Sequence, residues 1–481
     1  MLKTGAQYIE EIKAMRPNVY KWGKLIEDVT TDPNTSSHIQ NVARCYDACF
    51  DPEKRDIYSC ISKLTGERAH RWNTLMSCAQ DLADNMRLKR DNFRTVGHCT
   101  GITCAGWTVL NALYATTYEL DQEFQTDYHQ RVHNFLLKSE REGLALCAAL
   151  TDAKGDRSKK PGQQEDPDVY LHIVEEREDG VVVSGFKNMI CSVAGAQYIC
   201  VIPTTSLAPD EGKFAIAAAV RRDAEGLTIV ETRLPSDTRM MEEGYDGIKS
   251  GTTQAYLLFD HVFIPKENVF ICGQTAYAGK CLTYFTSIYR ACIGGCVSGQ
   301  GDMMVGAALG LARANGLKRK TFQDKLNRMA INNENSFATG MGAIQNGALH
   351  PSGVYIPDAI LANVSKVLAA TLPAETKMLA IEIAGGLAET GCIPSYTDLK
   401  SPLYGETLLR SLKAGCDPED RVRLARLLEW LTAGPGLSGC LHGGGSPDTA
   451  RMMINAKEPW DECVECAKAL CGATSPLVDK K

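Results

Sequence analysis

Two pairs of closely spaced cysteines are the residues of this sequence best suited to chemistry. Cys99 and Cys104 lie in the stretch TVGHCTGITCAGW, and Cys292 and Cys296 lie in YRACIGGC. Thiolates are the preferred ligands of zinc and of iron–sulfur clusters, and a cluster commonly needs four of them. Cys292 and Cys296 are four residues apart, so on a helix they share one face. The four thiols could hold a metal or a cluster, or they could be ordinary buried side chains.

The composition bears on this choice, because the chain contains 19 cysteines among 481 residues. Its N-terminus lacks the apolar core of a secretory signal peptide, and no apolar run reaches the roughly 18–20 residues that span a bilayer. We therefore expect a cytoplasmic protein whose thiols stay reduced and are mostly buried. The formal net charge of −6 and the lack of a dense Lys/Arg run argue against a nucleic-acid or membrane-surface role.

Two glycine-containing turns could bind an anion. The turn TDAKGDRSKK (151–160) combines backbone N–H groups with Arg and Lys side chains, which suits a phosphate or pyrophosphate. The stretch LHGGGSPDTARMM (441–453) leads into a helix that Ser446 caps and Pro447 begins, and the free N–H groups of a helix start attract anions. Both features are also typical of ordinary solvated turns and helix starts.

Three regions that differ in their hydrophobic periodicity must position these residues. Up to about residue 140 the pattern is helical, with Thr4 expected to cap the first helix. From about 145 to 275, short β-branched and aromatic runs with an EDG turn indicate strands. After about 280 the helical period returns. We predict an α+β fold with an N-terminal helical domain (1–142), a middle antiparallel β domain (143–277) and a C-terminal four-helix bundle (278–481).

Ten blocks of sequence follow one another along the chain: TGAQYIEEI, KLTGER, ATTYELDQEF, TDAKGDR, EEREDGVVVSGFK, DTRMMEEG, LFDHVFIP, GGCVSGQGD, IAGGL and HGGGSP. In this order they resemble the 4-hydroxybutyryl-CoA dehydratase / 4-hydroxyphenylacetate 3-hydroxylase flavoprotein family. The resemblance is strongest to the dehydratase branch and spans essentially the whole chain. This resemblance implies an acyl-CoA dehydrogenase-like fold, a homotetramer, and FAD bound between the β domain and the bundle.

The resemblance also assigns residues to the flavin. These residues are Thr151, Asp152, Lys154, Asp156, Arg157, Asn188, Cys191, Gly385, Gly386, Gly443, Gly444, Gly445 and Ser446. The loop 151–157 would hold the flavin and its diphosphate, with Asn188 and Cys191 beside the ring and the 443–446 loop closing over it. The glycine pair 385–386 would receive the dinucleotide of a neighbouring subunit.

In the dehydratases of this family, three cysteines and one histidine hold a [4Fe–4S] cluster near the flavin. Cys99, Cys104 and Cys296 match the three cysteines, with one extra residue between the first two, and Tyr289 stands at the histidine position. Either Cys292 or the Tyr289 phenolate could complete the ligand set. Further family positions that have changed are Gly439 and Gln254 in place of glutamates, Val297 in place of a lysine and Cys191 in place of a threonine.

We therefore expect a flavin-dependent lyase or isomerase acting on an acyl-CoA thioester, by dehydration or by double-bond isomerisation. Isomerisation tolerates the changed positions better, because it needs only a base and an acid near C2 and C4. The candidate catalytic residues are His98, Tyr289 and Gln254.

Two alternatives remain open. The first is a reduced-FAD-dependent monooxygenase that hydroxylates a phenol. The family's phenol-binding Arg, Tyr and His cannot be located here, and thiols near a peroxyflavin would be prone to oxidation. The second is a homologue that binds flavin or assembles with other subunits but has no turnover.

Overall fold

The computed structural model describes residues 2–205, 207–233, 253–389, 391–432 and 443–477. The first region is mostly helical, as predicted, and carries two short hairpins. Its helices are α1 (Gly5–Lys13), α2 (Ser36–Asp47), α3 (Arg55–Tyr58), α4 (Ala79–Val96), α5 (Ala105–Phe124) and α6 (Tyr128–Glu142). Its strands are β1 (Val19–Lys21), β2 (Lys24–Ile26), β3 (Ser59–Ile61) and β4 (Arg68–His70). Thr4 caps α1, accepting a hydrogen bond from the Gln7 backbone N–H at 3.2 Å.

The middle region consists of strands that form two sheets. The strands are β5 (Leu146–Ala149), β6 (His172–Arg177), β7 (Gly180–Cys191), β8 (Tyr198–Val201), β9 (Ile216–Arg221), β10 (Leu227–Glu231), β11 (Gln254–Pro265) and β12 (Val269–Cys272). The larger sheet has the order β2-β1-β10-β11-β7-β6, and the smaller one has the order β12-β9-β8-β5. Most neighbours are antiparallel, as expected, but β1 pairs parallel with β10 and β5 pairs parallel with β8. The N-terminal hairpin β1–β2 thus joins the β domain, which the sequence did not reveal.

The last region is a helical bundle. Its helices are α7 (Thr275–Ala314), α8 (Lys320–Gln345), α9 (Ala359–Ala384), α10 (Gly386–Glu389), α11 (Tyr396–Leu399), α12 (Gly405–Leu412), α13 (Pro418–Thr432), α14 (Pro447–Lys457) and α15 (Trp460–Cys471), with a hairpin β13 (Ala348–Leu349) and β14 (Tyr355–Ile356) after α8. The four helices α7, α8, α9 and α13 pack together around buried Leu311, Met329, Ile383 and Leu428. The predicted α+β order with a four-helix bundle is confirmed.

Glycines on α7 allow three helices to approach very closely. A Cβ atom built on Gly295 would lie 2.4 Å from the Met86 carbonyl oxygen on α4, and one on Gly299 would lie 2.6 Å from the Arg90 carbonyl oxygen. On the opposite side, a Cβ on Gly294 would lie 2.1 Å from a backbone oxygen of α8. Since no side chain fits at these contacts, glycine lets α4 run directly along the middle of α7.

Two expectations from composition can be compared with the fold. The described part of the chain contains 18 cysteines outside disulfides, and eight of them are buried, so burial accounts for fewer of the cysteines than expected. Among the described residues, no helix combines the length and the apolar character that a membrane crossing requires.

The glycine contact between α7 and α4 predicts the effect of adding one methyl group. Gly295→Ala should destabilise the protein by about 1–3 kcal/mol, because the new Cβ meets rigid backbone. Gly306→Ala is the matched control, since Gly306 is exposed on the same helix with no atom within 4 Å of its Cβ position. It should be neutral or stabilise by up to about 1 kcal/mol, as expected for Gly→Ala inside a helix. The midpoints of urea unfolding would measure both, and equal midpoints would contradict the packing described here.

Candidate active site

Three thiols from distant parts of the chain meet in one place. The Cys99 and Cys296 thiols lie within interaction range of the Cys104 thiol and perturb its pKa. Cys99 and Cys104 lie in the loop between α4 and α5, where Gly101 has a left-handed φ of 76° and donates its N–H to the Cys99 sulfur at 3.3 Å. Cys296 is buried in the middle of α7. The structure thus brings together three of the four cysteines singled out in the sequence.

Lys89 of α4 is the positive charge of this thiol site. Its side chain is 2% exposed, and its ammonium lies beside the sulfurs of Cys104, Cys292 and Cys296. Among these sulfurs, that of Cys104 attracts the ammonium most strongly. Burial alone would lower the pKa of Lys89, but the neighbouring sulfurs outweigh burial and raise it. Lys89 therefore stays charged.

The electrostatics of the thiols are unequal. Hydrogen bonds from Cys296 and Cys99, together with the Lys89 ammonium, hold the pKa of the Cys104 thiol well below its usual range. The hydrogen bonds that Cys99 and Cys296 donate, together with burial, raise the pKa of both of these thiols. The site therefore stabilises one thiolate, at Cys104, flanked by two thiols.

Tyr289, rather than Cys292, faces the three thiols. The Tyr289 ring stacks on Phe285 with centroids 5.3 Å apart, and Lys89 lies 5.5 Å from its centroid. Burial is the main cause that raises the pKa of the Tyr289 hydroxyl. The negative charge of Cys104 comes next, and Cys296 and Cys99 raise the pKa further. The Cys292 thiol points to the Leu82 carbonyl oxygen at 3.9 Å, and burial raises its pKa to about 11. Of the two predicted completions of the ligand set, the geometry favours Tyr289.

The end of strand β7 reaches the thiol loop. A Cβ built on Gly101 would lie 2.1 Å from the Ser192 hydroxyl oxygen, so the loop touches the residue that follows Cys191. Gln254 pairs with Cys191 in the sheet register. Met189 and Ser192 both have positive φ, of 57° and 62°, which is unusual for residues with a side chain and is concentrated at functional sites. Exposed Met189 and Cys191 leave this strand end open on one side.

The glycine loop 443–446 reaches the site at Tyr289. Lys366 donates to the Gly443 carbonyl oxygen at 2.7 Å, and Arg290 donates to the Gly444 carbonyl oxygen at 3.0 Å. Gly444 has a φ of 70°, and a Cβ there would lie 2.5 Å from the Tyr289 ring. The predicted N-cap is present, because the Ser446 hydroxyl accepts the Thr449 N–H at 3.1 Å. The loop therefore covers Tyr289 directly.

The loop predicted to hold the flavin diphosphate starts at the same strand end. The Asn188 N–H donates to the Thr151 carbonyl oxygen at 2.8 Å. The Asp152 carboxylate is buried and bonded to Lys187, so it does not face a ligand. Beyond it, Lys154 has a φ of 76° and is half-buried, whereas Asp156 and Arg157 are exposed.

Several predicted residues lie away from the thiols. The His98 ring is buried and pairs with the Asn41 amide at 2.7 Å and with the Cys99 carbonyl oxygen at 2.8 Å. Burial lowers the pKa of His98, so this ring is a neutral structural group behind the loop. The exposed pair Gly385–Gly386 ends α9, with open space around both Cβ positions. Val297 packs in a small apolar cluster, and Gly439 lies outside the described residues.

Sequence reasoning missed Lys89 and Lys187. Each lies inside an amphipathic helix or strand pattern in which a lysine is expected to be exposed, and no local signal marks it as buried. The run of glycines on α7 is a signal that could have indicated the close approach of the backbone that carries Lys89.

The side chains of this site can be compared with the ligands that a metal ion or an iron–sulfur cluster requires. Within the described ranges, no three His, Cys, Asp or Glu side chains are arranged around one metal ion. Three thiols and a phenol match the donor chemistry of an iron–sulfur cluster, but the side chains would have to rearrange to surround one.

A separate surface cavity of about 910 Å³ lies along the second half of β11, and its lining includes Lys138, Arg221 and His261. Its lining on β11 begins at Asp260, which is about 20 Å along the strand from Gln254. Charges in its lining are paired with each other, as in Arg221 with Asp223 and His261 with Asp260. We therefore base the candidate site on the thiols.

Comparisons with known proteins identify relatives of this chain over nearly its whole length. The chain matches the N-terminal domain family of 4-hydroxyphenylacetate 3-hydroxylase over residues 4–271 and the C-terminal domain family over residues 278–472. It is 35% identical to the 4-hydroxybutyryl-CoA dehydratase/vinylacetyl-CoA-Δ-isomerase of Clostridium aminobutyricum, over 98% of this chain and 100% of that protein.

Solved structures give the same picture. An oxygen-tolerant archaeal 4-hydroxybutyryl-CoA dehydratase from N. maritimus superimposes with a TM-score of 0.95 and 34% identity, over 100% of this chain and 97% of that one. The fold is shared with the oxygenase component of 4-hydroxyphenylacetate 3-monooxygenase in complex with FAD (TM-score 0.84, 22% identity, 97% and 98% covered). It extends to glutaryl-coenzyme A dehydrogenase (TM-score 0.50, 14% identity, 80% and 81% covered), as the predicted acyl-CoA dehydrogenase-like fold requires.

Proposed function

This chain belongs to the 4-hydroxyphenylacetate 3-hydroxylase family of flavin enzymes, and we propose that it is an FAD-dependent lyase or isomerase acting on an acyl-CoA thioester. Its reaction is dehydration of a 4-hydroxybutyryl-CoA-type substrate, double-bond migration in a vinylacetyl-CoA-type substrate, or both. The full-length similarity to a dehydratase/isomerase supports this assignment. The observation that carries it is the meeting of three thiols with Tyr289 beside the end of β7.

The residues around this strand end fit a flavin. Half-buried Asn188 and exposed Met189 and Cys191 form an open face, and the 443–446 loop covers the opposite side. A planar ring between them would contact Asn188 and Cys191, and the loop that begins at Thr151 would hold the diphosphate. Bound FAD supplies electron transfer to and from the substrate carbon.

An iron–sulfur cluster is a further part of the proposal. Cys99, Cys104 and Cys296 would be its thiolate ligands, and Tyr289 would be the fourth. Such a cluster supplies a Lewis-acidic iron for the departing hydroxide. The Lys89 ammonium supports an anionic group here, because it has no carboxylate partner among the described residues and such a buried cation favours negative charge beside it.

The described side chains also suggest how protons move. Double-bond migration removes a proton at C2 and returns one at C4 of the acyl chain. Where Tyr289 does not ligate a cluster, its hydroxyl faces the site and can donate or accept a proton, while Lys89 stabilises the negative charge that develops next to it. Gln254 lies beside Cys191 and can only donate or accept hydrogen bonds, so it orients rather than titrates.

We further propose the domain division 1–142, 143–277 and 278–481, a homotetramer and a cytoplasmic location. The helices before Glu142, the strands from Leu146 to Cys272 and the helices from Thr275 support the division. The exposed pair Gly385–Gly386 supports assembly, because it offers a surface of open backbone to a neighbouring subunit.

The proposed activity predicts which thioesters react. Protein purified without air should bind FAD and should remove water from 4-hydroxybutyryl-CoA or convert vinylacetyl-CoA to its conjugated isomer, as followed by mass spectrometry and chromatography. Lys89→Met should lower kcat about 10²-fold by removing the buried charge. The exposed Lys63→Met is the control and should be unchanged. Reaction of neither thioester, with oxygen incorporated into 4-hydroxyphenylacetate instead, would refute the assignment in favour of a monooxygenase.

The proposed cluster predicts that substitutions at Tyr289 and Cys292, both on α7, change the iron content differently. Tyr289→Phe should lose most of the iron and acid-labile sulfide, because it removes the fourth ligand oxygen and keeps the ring. Cys292→Ser should keep the wild-type content of about four irons per subunit, because this thiol points to the Leu82 carbonyl. Wild-type protein with less than about one iron per subunit would rule out the cluster, and iron loss in Cys292→Ser alone would give Cys292 the role of fourth ligand.

A further inference from the structure

A buried ion pair connects strand β7 with the residues that follow β5 and β8, where the loop 151–157 begins. The Lys187 ammonium donates to the Asp152 carboxylate at 2.5 Å and to the Leu150 and Ile202 carbonyl oxygens at 2.9 Å each. The Thr204 hydroxyl donates to the other Asp152 oxygen at 2.8 Å. Both charged side chains are at most 3% exposed. All three ammonium protons are used, so Lys187 is held in one position.

The partners of Lys187 explain what it fixes. Leu150 directly follows β5, Ile202 directly follows β8, and Lys187 itself lies in β7. The next residue, Asn188, donates its N–H to the Thr151 carbonyl oxygen at 2.8 Å. Thr151 and Asn188 are the positions at which the diphosphate loop and the ring platform of the proposed flavin site begin. The ammonium therefore sets the distance and angle between these two halves.

The energetics of buried ion pairs distinguish a positioning role of Lys187 from a purely stabilising one. A buried ion pair is seldom more stabilising than an apolar pair of similar volume, whereas loss of one partner leaves a buried charge and is costly. A stability role alone would therefore be served equally well by two uncharged side chains. The charged pair additionally fixes the geometry of its surroundings, because the three N–H donors of Lys187 need acceptors at defined positions.

We propose that Lys187 is a positioning residue for the flavin, which holds Thr151 and Asn188 in register through its bonds to Asp152, Leu150 and Ile202. Asp152 is then the counter-charge of Lys187 and not a ligand of the diphosphate. This inference rests on the proposed function, because it needs FAD at this strand end.

FAD titration of three variants, followed by flavin fluorescence well below the unfolding temperature, tests the inference. Lys187→Met should weaken FAD binding about tenfold or more and should lower Tm. The double variant Asp152→Asn with Lys187→Met removes both charges, so it should recover much of the Tm and none of the affinity. Lys3→Met is the control, because Lys3 pairs with Glu11 in another part of the fold. It should lower Tm with unchanged FAD affinity.

The possible failures are distinguishable. If the wild type binds FAD and the double variant binds it equally well, the ion pair is only structural and the inference is wrong. If affinity falls in proportion to Tm across all variants, including Lys3→Met, the positioning role is also wrong. A wild-type protein that binds no FAD refutes the proposed function, and the inference falls with it.

Discussion

The close contact between α4 and α7 is the constraint on which the site depends. Gly295 and Gly299 lie one turn apart on α7 and leave room for the backbone of α4 at Met86 and Arg90. Because Lys89 lies between these two residues on α4, the same contact places its ammonium beside Cys296. The loop that carries Cys99 and Cys104 follows α4 directly, so its position is set by the same packing. Bulkier residues on α7 would separate the charge and the thiols that the chemistry needs together.

Positive charge dominates the buried surroundings of the site. Lys89, Arg290 and Lys366 are all buried. Lys89 lies beside sulfurs, and the described acceptors of Arg290 and Lys366 include backbone carbonyl and amide oxygens. Burial lowers the pKa of Arg290 to about 10, which still leaves the guanidinium charged at neutral pH. Such a site is suited to anionic groups, including thiolates, a reduced flavin and a thioester enolate. The positive charge and the thiols are therefore complementary parts of one environment.

Sequence patterns predicted the order of elements well, because helical and strand periodicity record which face of each element is buried. They also found Cys99, Cys104 and Cys296, since cysteine is a reactive residue wherever it lies. They could not show which way the His98 side chain points, because residues adjacent in sequence, such as His98 and Cys99, can point to opposite sides of a loop. They could not find Lys89 or Lys187, because burial of a lysine depends on partners that are distant in sequence. Asp152 was correctly located in the loop, but its carboxylate points inward to Lys187.

The central claim is that a flavin ring lies between the end of β7 and the 443–446 loop, next to the three thiols. A crystal structure of the protein prepared without air and saturated with FAD tests this most directly. The account predicts isoalloxazine density in contact with Asn188 and Cys191 on one side and the Gly444 loop on the other. Flavin density only in the cavity near Lys138, Arg221 and His261, with the thiol site closed by protein side chains, would contradict it.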